Sequence, residues 1–185
     1  MQNTLIVSGH PDLKQSVANQ TILTELANAL PNAEIRKLGE LYADFQINVA
    51  AEQAALSKAD LIVWQFPFHW YALPALMKKW LDDVFVHGFA HGSGAKLGGK
   101  KLLLSFTTGA PEFLYAKDNL MKHELADYFA PFESTAALCG LEWLPPMYLT
   151  GVSYVGRDEA AVKAQQADAK AYAARLIAAI NEHAK

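Results

Sequence analysis

The sequence predicts an α/β fold in which a five-stranded parallel sheet carries helices on both faces. Two observations predict it. Compact apolar runs such as TLIV and DLIVWQ alternate along the chain with segments of helical spacing. Strands joined through helices in this way pair in parallel and are buried on both faces. The chain's 185 residues suffice for one well-buried core. No linker, internal repeat or low-complexity segment divides it, so one domain over 1–185 is expected.

Thr4–Val7 is the first strand and ends at Ser8-Gly9. Ser16–Leu30 follows as a helix, with Ser16 placed as N-cap and Ile22, Leu26 and Leu30 on one face. Ala33–Lys37 is a weak second strand, Val49–Ala59 a helix and Asp60–Gln65 a third strand. Pro74 opens the next helix, as proline does in a first turn, and its apolar face is Leu76, Trp80 and Val84. The glycine-rich loop Gly88–Gly99 leads to the fourth strand, Lys101–Phe106. A helix is expected over Lys122–Leu138. Glu142–Leu149 is the fifth strand; its Pro145 and Pro146 place it at an edge or make it irregular. Arg157–His183 is a long closing helix, with Val162, Ala169, Tyr172, Leu176 and Ile180 facing inward.

Composition narrows the function. A net charge of -3 gives no electrostatic reason to expect nucleic acid as a partner. The single cysteine, Cys139, can form neither an internal disulfide nor a cysteine-based zinc site, and reads as a small core residue in a reducing compartment. The opening MQNTLIVSGHP lacks the marks of a signal peptide, and no apolar run approaches the ~20 residues that span a bilayer, so a cytoplasmic protein is expected. His87, His91, Asp82 and Asp83 straddle a helix end and a loop and are not read as a metal site. Trp64 reads as structural, Trp80 and Trp143 as core or interface, and Lys78 and Lys79 as a solvated helix face.

In such sheets ligands bind at the carboxyl ends of the strands. Three strand-end loops carry unusual residues. Ser8–Asn19 leads into a helix N-terminus, where free N–H groups and the helix dipole favour an anion; Ser16, Asn19 and His10 can add hydrogen bonds. The plainer reading is a capped βα turn. Neither a Walker A pattern nor GxGxxG is present. Phe66–Pro74 packs aromatic and imidazole rings (Phe66, Phe68, His69, Trp70, Tyr71) directly after a strand, a platform for a flat heteroaromatic ligand or else a hydrophobic plug or subunit interface. Ser105–Pro111 sets small residues and two hydroxyls at a strand end, where backbone amides can approach a ligand.

Taken together, the segments resemble the NAD(P)H:quinone oxidoreductase family of flavodoxin-like flavoproteins, and more closely its bacterial branch, which includes the ancillary flavoproteins of glutathione-gated potassium efflux systems. The resemblance spans nearly the whole chain. It rests on GHP at Gly9–Pro11, SVAN at Ser16–Asn19, LYADF at Leu41–Phe45, AAEQAAL at Ala50–Leu56, the long segment Ala59–Asp82, VHGFAHG at Val86–Gly92, TTGA at Thr107–Ala110 and CGLEWLPP at Cys139–Pro146. The family has a second glycine where this chain has Ala110.

The resemblance implies a flavodoxin-like three-layer fold with strand order 2-1-3-4-5. It implies that His10, Ser16, Val17, Ala18 and Asn19 hold the phosphate of FMN (FAD being the alternative), that Phe68, His69, Trp70 and Tyr71 run along the isoalloxazine ring, and that Thr107, Thr108, Gly109 and Ala110 line its polar edge. It implies a homodimer in which Phe89 and His91 lie on a loop covering the partner's site, and a proton donor at Tyr115, with His123 as its candidate companion. The implied reaction is ping-pong hydride transfer from NAD(P)H to flavin and on to a quinone or similar acceptor. Two alternatives share the fold: a regulatory flavoprotein subunit of a potassium/proton antiporter, associated peripherally with the membrane transporter, and a one-electron carrier.

Overall fold

The structure is a computed structural model and describes residues 3–184. In chain order the elements are β1 (Thr4–Ser8), α1 (Val17–Ala29), β2 (Glu34–Lys37), α2 (Leu38–Leu41), α3 (Val49–Lys58), β3 (Leu61–Pro67), α4 (Ala75–Val84), β4 (Lys101–Thr107), α5 (Ala130–Cys139), β5 (Glu142–Trp143), β6 (Met147–Leu149) and α6 (Glu159–His183). The strands form one parallel sheet in the order β2-β1-β3-β4-β5, with β6 also on β4.

Every residue of β3 is buried, so alternate side chains feed cores on opposite faces. Ile62, Trp64 and Phe66 join Leu56, Met77, Trp80 and Phe132 beneath α3, α4 and α5. Leu61 and Val63 join Ile22, Leu26, Tyr172 and Leu176 beneath α1 and α6. Ser16 caps α1 by accepting the Asn19 N–H at 3.1 Å.

A buried carboxylate ties the β2 edge to the helices. Glu52 of α3 accepts from Arg36 Nε at 2.7 Å, Tyr42 Oη at 2.5 Å and Trp80 Nε1 at 2.9 Å. The arrangement joins β2, the end of α2, α3 and α4 around one charge.

Three segments differ from the sequence expectation. The helix expected over Lys122–Leu138 begins only at Ala130, after a 3-10 turn at Leu125–Tyr128. Pro131 is the reason: proline in a helix interior lacks the N–H and clashes with the carbonyl four residues back, so it belongs in a first turn. Upstream, Lys122 has a φ of 59°, which interrupts a helix. The fifth strand is split into β5 and β6, because Pro145-Pro146 offers no N–H to the ladder. Finally, α2 forms inside a segment with no expected element; it buries Leu38 and brings Gly39 against the His10-Pro11 backbone.

Candidate functional site

The carboxyl ends of β1, β3 and β4 meet the N-terminus of α1 and the chain between β6 and α6. A cleft of about 180 Å³ opens there. From the expected set its walls contain His10, Ser16, Val17, Ala18, Asn19, Phe68, His69, Thr107 and Gly109. All three strand-end loops therefore converge.

One end of the cleft is built of donors. With Ser16 spent on the Asn19 N–H, the first two N–H groups of α1, at Val17 and Ala18, have no acceptor among the described residues. His10 accepts the Asp12 N–H on Nδ1 at 3.1 Å, so a neutral ring carries its proton on Nε2. Burial, and then the neighbouring His69, pull the His10 pKa down to about 4, and burial also lowers that of His69. At neutral pH both rings are uncharged. The cationic side chain in this wall is Arg157, whose Nη1 donates to Gln165 Oε1 at 3.4 Å. Past Ser16 and Val17 the cleft continues into an open hollow lined also by Lys14, Gln20 and Gln166. The set fits a phosphate: uncharged donors from a helix N-terminus and an imidazole, with one guanidinium.

The aromatic run gives the cleft Phe68 and His69. Phe68 packs on Phe106 with ring centroids 4.9 Å apart and meets Tyr128 edge-on at 5.8 Å. Trp70 and Tyr71 leave the cleft wall. Their φ values of 48° and 64° are left-handed, a strained conformation for bulky residues, and they turn the chain outward. Trp70 is 90% exposed, and Tyr71 stacks on Tyr128 at 5.2 Å.

Thr108 and Ala110 do not line the cleft; the Thr108 hydroxyl donates to the Ala110 carbonyl at 2.6 Å. Tyr115 is buried against Tyr128, and burial raises its pKa, a Thr108 hydrogen bond opposing part of the rise. His123 is exposed, pairs with Asp127 at 3.5 Å and sets its ring edge-on to Tyr128 at 5.7 Å. Tyr115 and His123 thus each set a ring edge-on to Tyr128. Phe89 is buried in the core of its own protomer, and His91 packs against His87. Asp82 and Asp83 pair with Lys78 and Lys79 along α4.

Sequence reasoning missed three contributions. Val152, Ser153, Tyr154 and Arg157 come from the chain after β6; the strand-end rule would have found them had it been applied to the fifth strand as well as the first, third and fourth. Gln65 was read only as the end of a strand. Tyr128 had no signal, because a helix was expected in its place.

This doubly wound sheet, with a cleft at the carboxyl ends of its strands, defines a flavodoxin-like protein. The model of the flavodoxin-like fold family matches residues 2–176, and the chain belongs to that family. Among relatives, it is 45% identical over 175 residues to the glutathione-regulated potassium-efflux system ancillary protein KefF of Enterobacter sp. (strain 638), with 94% of each chain covered. Among solved structures it resembles the general stress protein 14 of Treponema denticola in complex with FMN, at 33% identity and a TM-score of 0.84, covering 95% of this chain and 98% of that one. It also resembles an NADPH-quinone reductase from P. pentosaceus, at 28% identity and a TM-score of 0.75, covering 94% and 98%.

Proposed function

We propose that the chain binds FMN in this cleft and uses it to pass electrons from NAD(P)H to a quinone or similar acceptor. One observation carries the reading: the free N–H groups of α1, His10 and Arg157 line the same cleft as the Phe68 ring and the end of β4. FMN in a relative at 33% identity supports the cofactor, and the name of the relative at 28% supports the reaction.

When bound, FMN supplies the two-electron chemistry. The protein's part is positioning. Val17 and Ala18 N–H groups, Ser16, His10 and Arg157 would hold the phosphate, and Phe68, Thr107 and Gly109 would line the ring. Tyr115 carries its phenolic proton at neutral pH as any tyrosine does, burial holding it there more firmly, and is the candidate donor to the reduced acceptor. His123 approaches the same aromatic group through Tyr128. Trp70, exposed on its strained turn beside Tyr71, suits a contact that a second copy of the chain completes.

A second reading is favoured by the relative at 45% identity: an ancillary protein of a potassium efflux system. No helix among the described residues is long and apolar enough to cross a membrane, so that role would be peripheral. The experiment is to purify the chain, identify any released flavin by mass, and follow NADPH oxidation with a panel of soluble quinones. Bound FMN with turnover supports the oxidoreductase. Bound FMN without turnover on any quinone rejects it in favour of the ancillary role.

A further inference from the structure

The cleft rests on polar side chains that are buried more deeply than those lining it. In β3, buried along its whole length, one side chain is an amide: Gln65, 0% exposed. Its Nε2 donates to Asn19 Oδ1 at 2.6 Å, and its Oε1 faces the Ser8 hydroxyl at 3.5 Å. Asn19, itself buried, spends both Nδ2 hydrogens, one on Ser16 Oγ at 3.0 Å and one on Thr107 Oγ1 at 3.1 Å.

The consequence falls on Ser16. A hydroxyl oxygen has two acceptor positions and one hydrogen. Ser16 Oγ accepts from the Asn19 backbone N–H at 3.1 Å and from Asn19 Nδ2 at 3.0 Å, so both acceptor positions are filled. Its own hydrogen is left for the cleft that Ser16 lines. Were the Asn19 amide turned over, its Oδ1 would face Ser16 and take that hydrogen. What holds the amide this way round is the donor supplied by Gln65.

We infer that Gln65 is a positioning residue for phosphate recognition: through Asn19 it sets the polarity of the network so that the Ser16 hydroxyl donates into the cleft. The inference rests on the proposed phosphate-binding reading of that cleft and adds a residue that does not touch the ligand.

The test compares FMN with riboflavin, which lacks the phosphate, by quenching of flavin fluorescence on the apo-protein. Wild type binds FMN more tightly than riboflavin. Gln65→Glu inverts the polarity when its carboxylate is ionised, because it then only accepts, and restores it when protonated. A buried Glu titrates as high as about 8–9. The FMN-over-riboflavin preference of Gln65→Glu, divided by that of wild type at the same pH, is therefore expected near one at pH 6 and down roughly tenfold at pH 9.5, the loss of one hydrogen bond to a charged group. The titratable and charged groups around the cleft (His10, His69, Tyr154 and Arg157), Lys14 in the adjoining hollow and Tyr172 behind β4 are common to both proteins and cancel in the ratio. In a Ser16→Ala background the Gln65 substitution adds nothing. If Gln65→Glu does not fold, Gln65→Met keeps the volume without a donor, and a partial, pH-independent fall in preference is expected. A flat ratio of one across pH for Gln65→Glu, an unchanged preference for Gln65→Met, or the same loss in the Ser16→Ala background overturns the inference. A wild type with no preference for FMN over riboflavin overturns instead the phosphate-site reading beneath it.

Discussion

Removing the carboxylate of Glu52 tests whether the β2 edge is held by charge. The side chain is 1% exposed and receives bonds from Arg36, Tyr42 and Trp80. The hydrogen bond with Glu52 is also the main reason that the Arg36 guanidinium is held more firmly protonated than usual. Glu52→Ala leaves that guanidinium without its buried partner and deprives the Trp80 indole and the Tyr42 hydroxyl of their acceptor. Breaking a buried pair from one side costs about 3–5 kcal/mol. Two further donors lose their partner, but Arg36 is part-exposed and keeps Glu34 at 3.0 Å, which places the expectation in the middle of that range. For a chain of this length each kcal/mol lowers Tm by roughly 2–4 °C, so a fall of roughly 8–16 °C is expected. Glu52→Gln retains one carbonyl acceptor and should lose about 1–3 kcal/mol. The assay is thermal and urea unfolding of the apo-protein followed by circular dichroism. The paired change Arg36→Met with Glu52→Met removes both charges, and is expected to recover most of the loss because neither is stranded. A Glu52→Ala protein within about 1 kcal/mol of wild type would refute the reasoning, since the part-buried Arg36 guanidinium would be left with Glu34 alone and the Trp80 and Tyr42 donors with no acceptor.

Other predictions bear on the cleft. Arg157→Ala should weaken FMN binding by about 10–100-fold, the worth of a charge-assisted hydrogen bond, while riboflavin affinity measured by the same fluorescence titration stays put. His10 titrates near 4 in the folded chain against 6.5 unfolded. The unfolded chain therefore binds the extra proton between those values, so stability falls as pH drops from about 6.5 to about 4, and His69 acts in the same direction. Urea midpoints across that range should show a shallower slope for His10→Gln; an unchanged slope would mean that His10 is protonated in the folded state. A Cβ on Gly39 would stand 2.5 Å from the Pro11 carbonyl oxygen and 2.7 Å from that of His10. Gly39→Ala should displace the first loop and lower FMN affinity about tenfold, with a smaller change in Tm than Glu52→Ala; unaltered affinity would show that the loop can shift without loss.

The parts legible in the sequence were those written in local patterns. TLIV, DLIVWQ and KLLLSF announce β1, β3 and β4, and Ser16 with its downstream apolar face announces α1. The parts that were not legible depend on competition between distant terms. Whether Lys122–Leu138 is one helix is decided by Pro131, which outweighs the helical spacing around it. Phe68, His69, Trp70 and Tyr71 read as one aromatic run, yet the left-handed backbone at Trp70 and Tyr71 divides it between a wall and a protrusion. No local pattern predicts φ values that bulky residues resist; only the surrounding packing can impose them. Arg157 was visible as a residue but was assigned to the following helix, because nothing in its neighbourhood says that β6 ends beside β4.

The same reasoning explains why the site sits where the sheet is least like a hydrophobic core. Toward their amino ends β1, β3 and β4 carry Leu5, Ile62 and Leu102; toward their carboxyl ends they carry Ser8, Gln65 and Thr107, all buried. Burying an unpaired polar group costs about 1–3 kcal/mol, so such a layer survives only if its members satisfy one another. They do: Ser8, Gln65, Asn19, Ser16 and Thr107 form one connected set across three strands and a helix. A hydrophobic replacement of the whole layer would serve stability as well or better. What it could not do is present an oriented donor at the cleft, because orientation comes from each group having a fixed partner behind it. The buried amide in β3 is therefore better explained by the ligand than by the fold, and it follows that changes in this layer should separate affinity from stability, whereas changes around Glu52 should not.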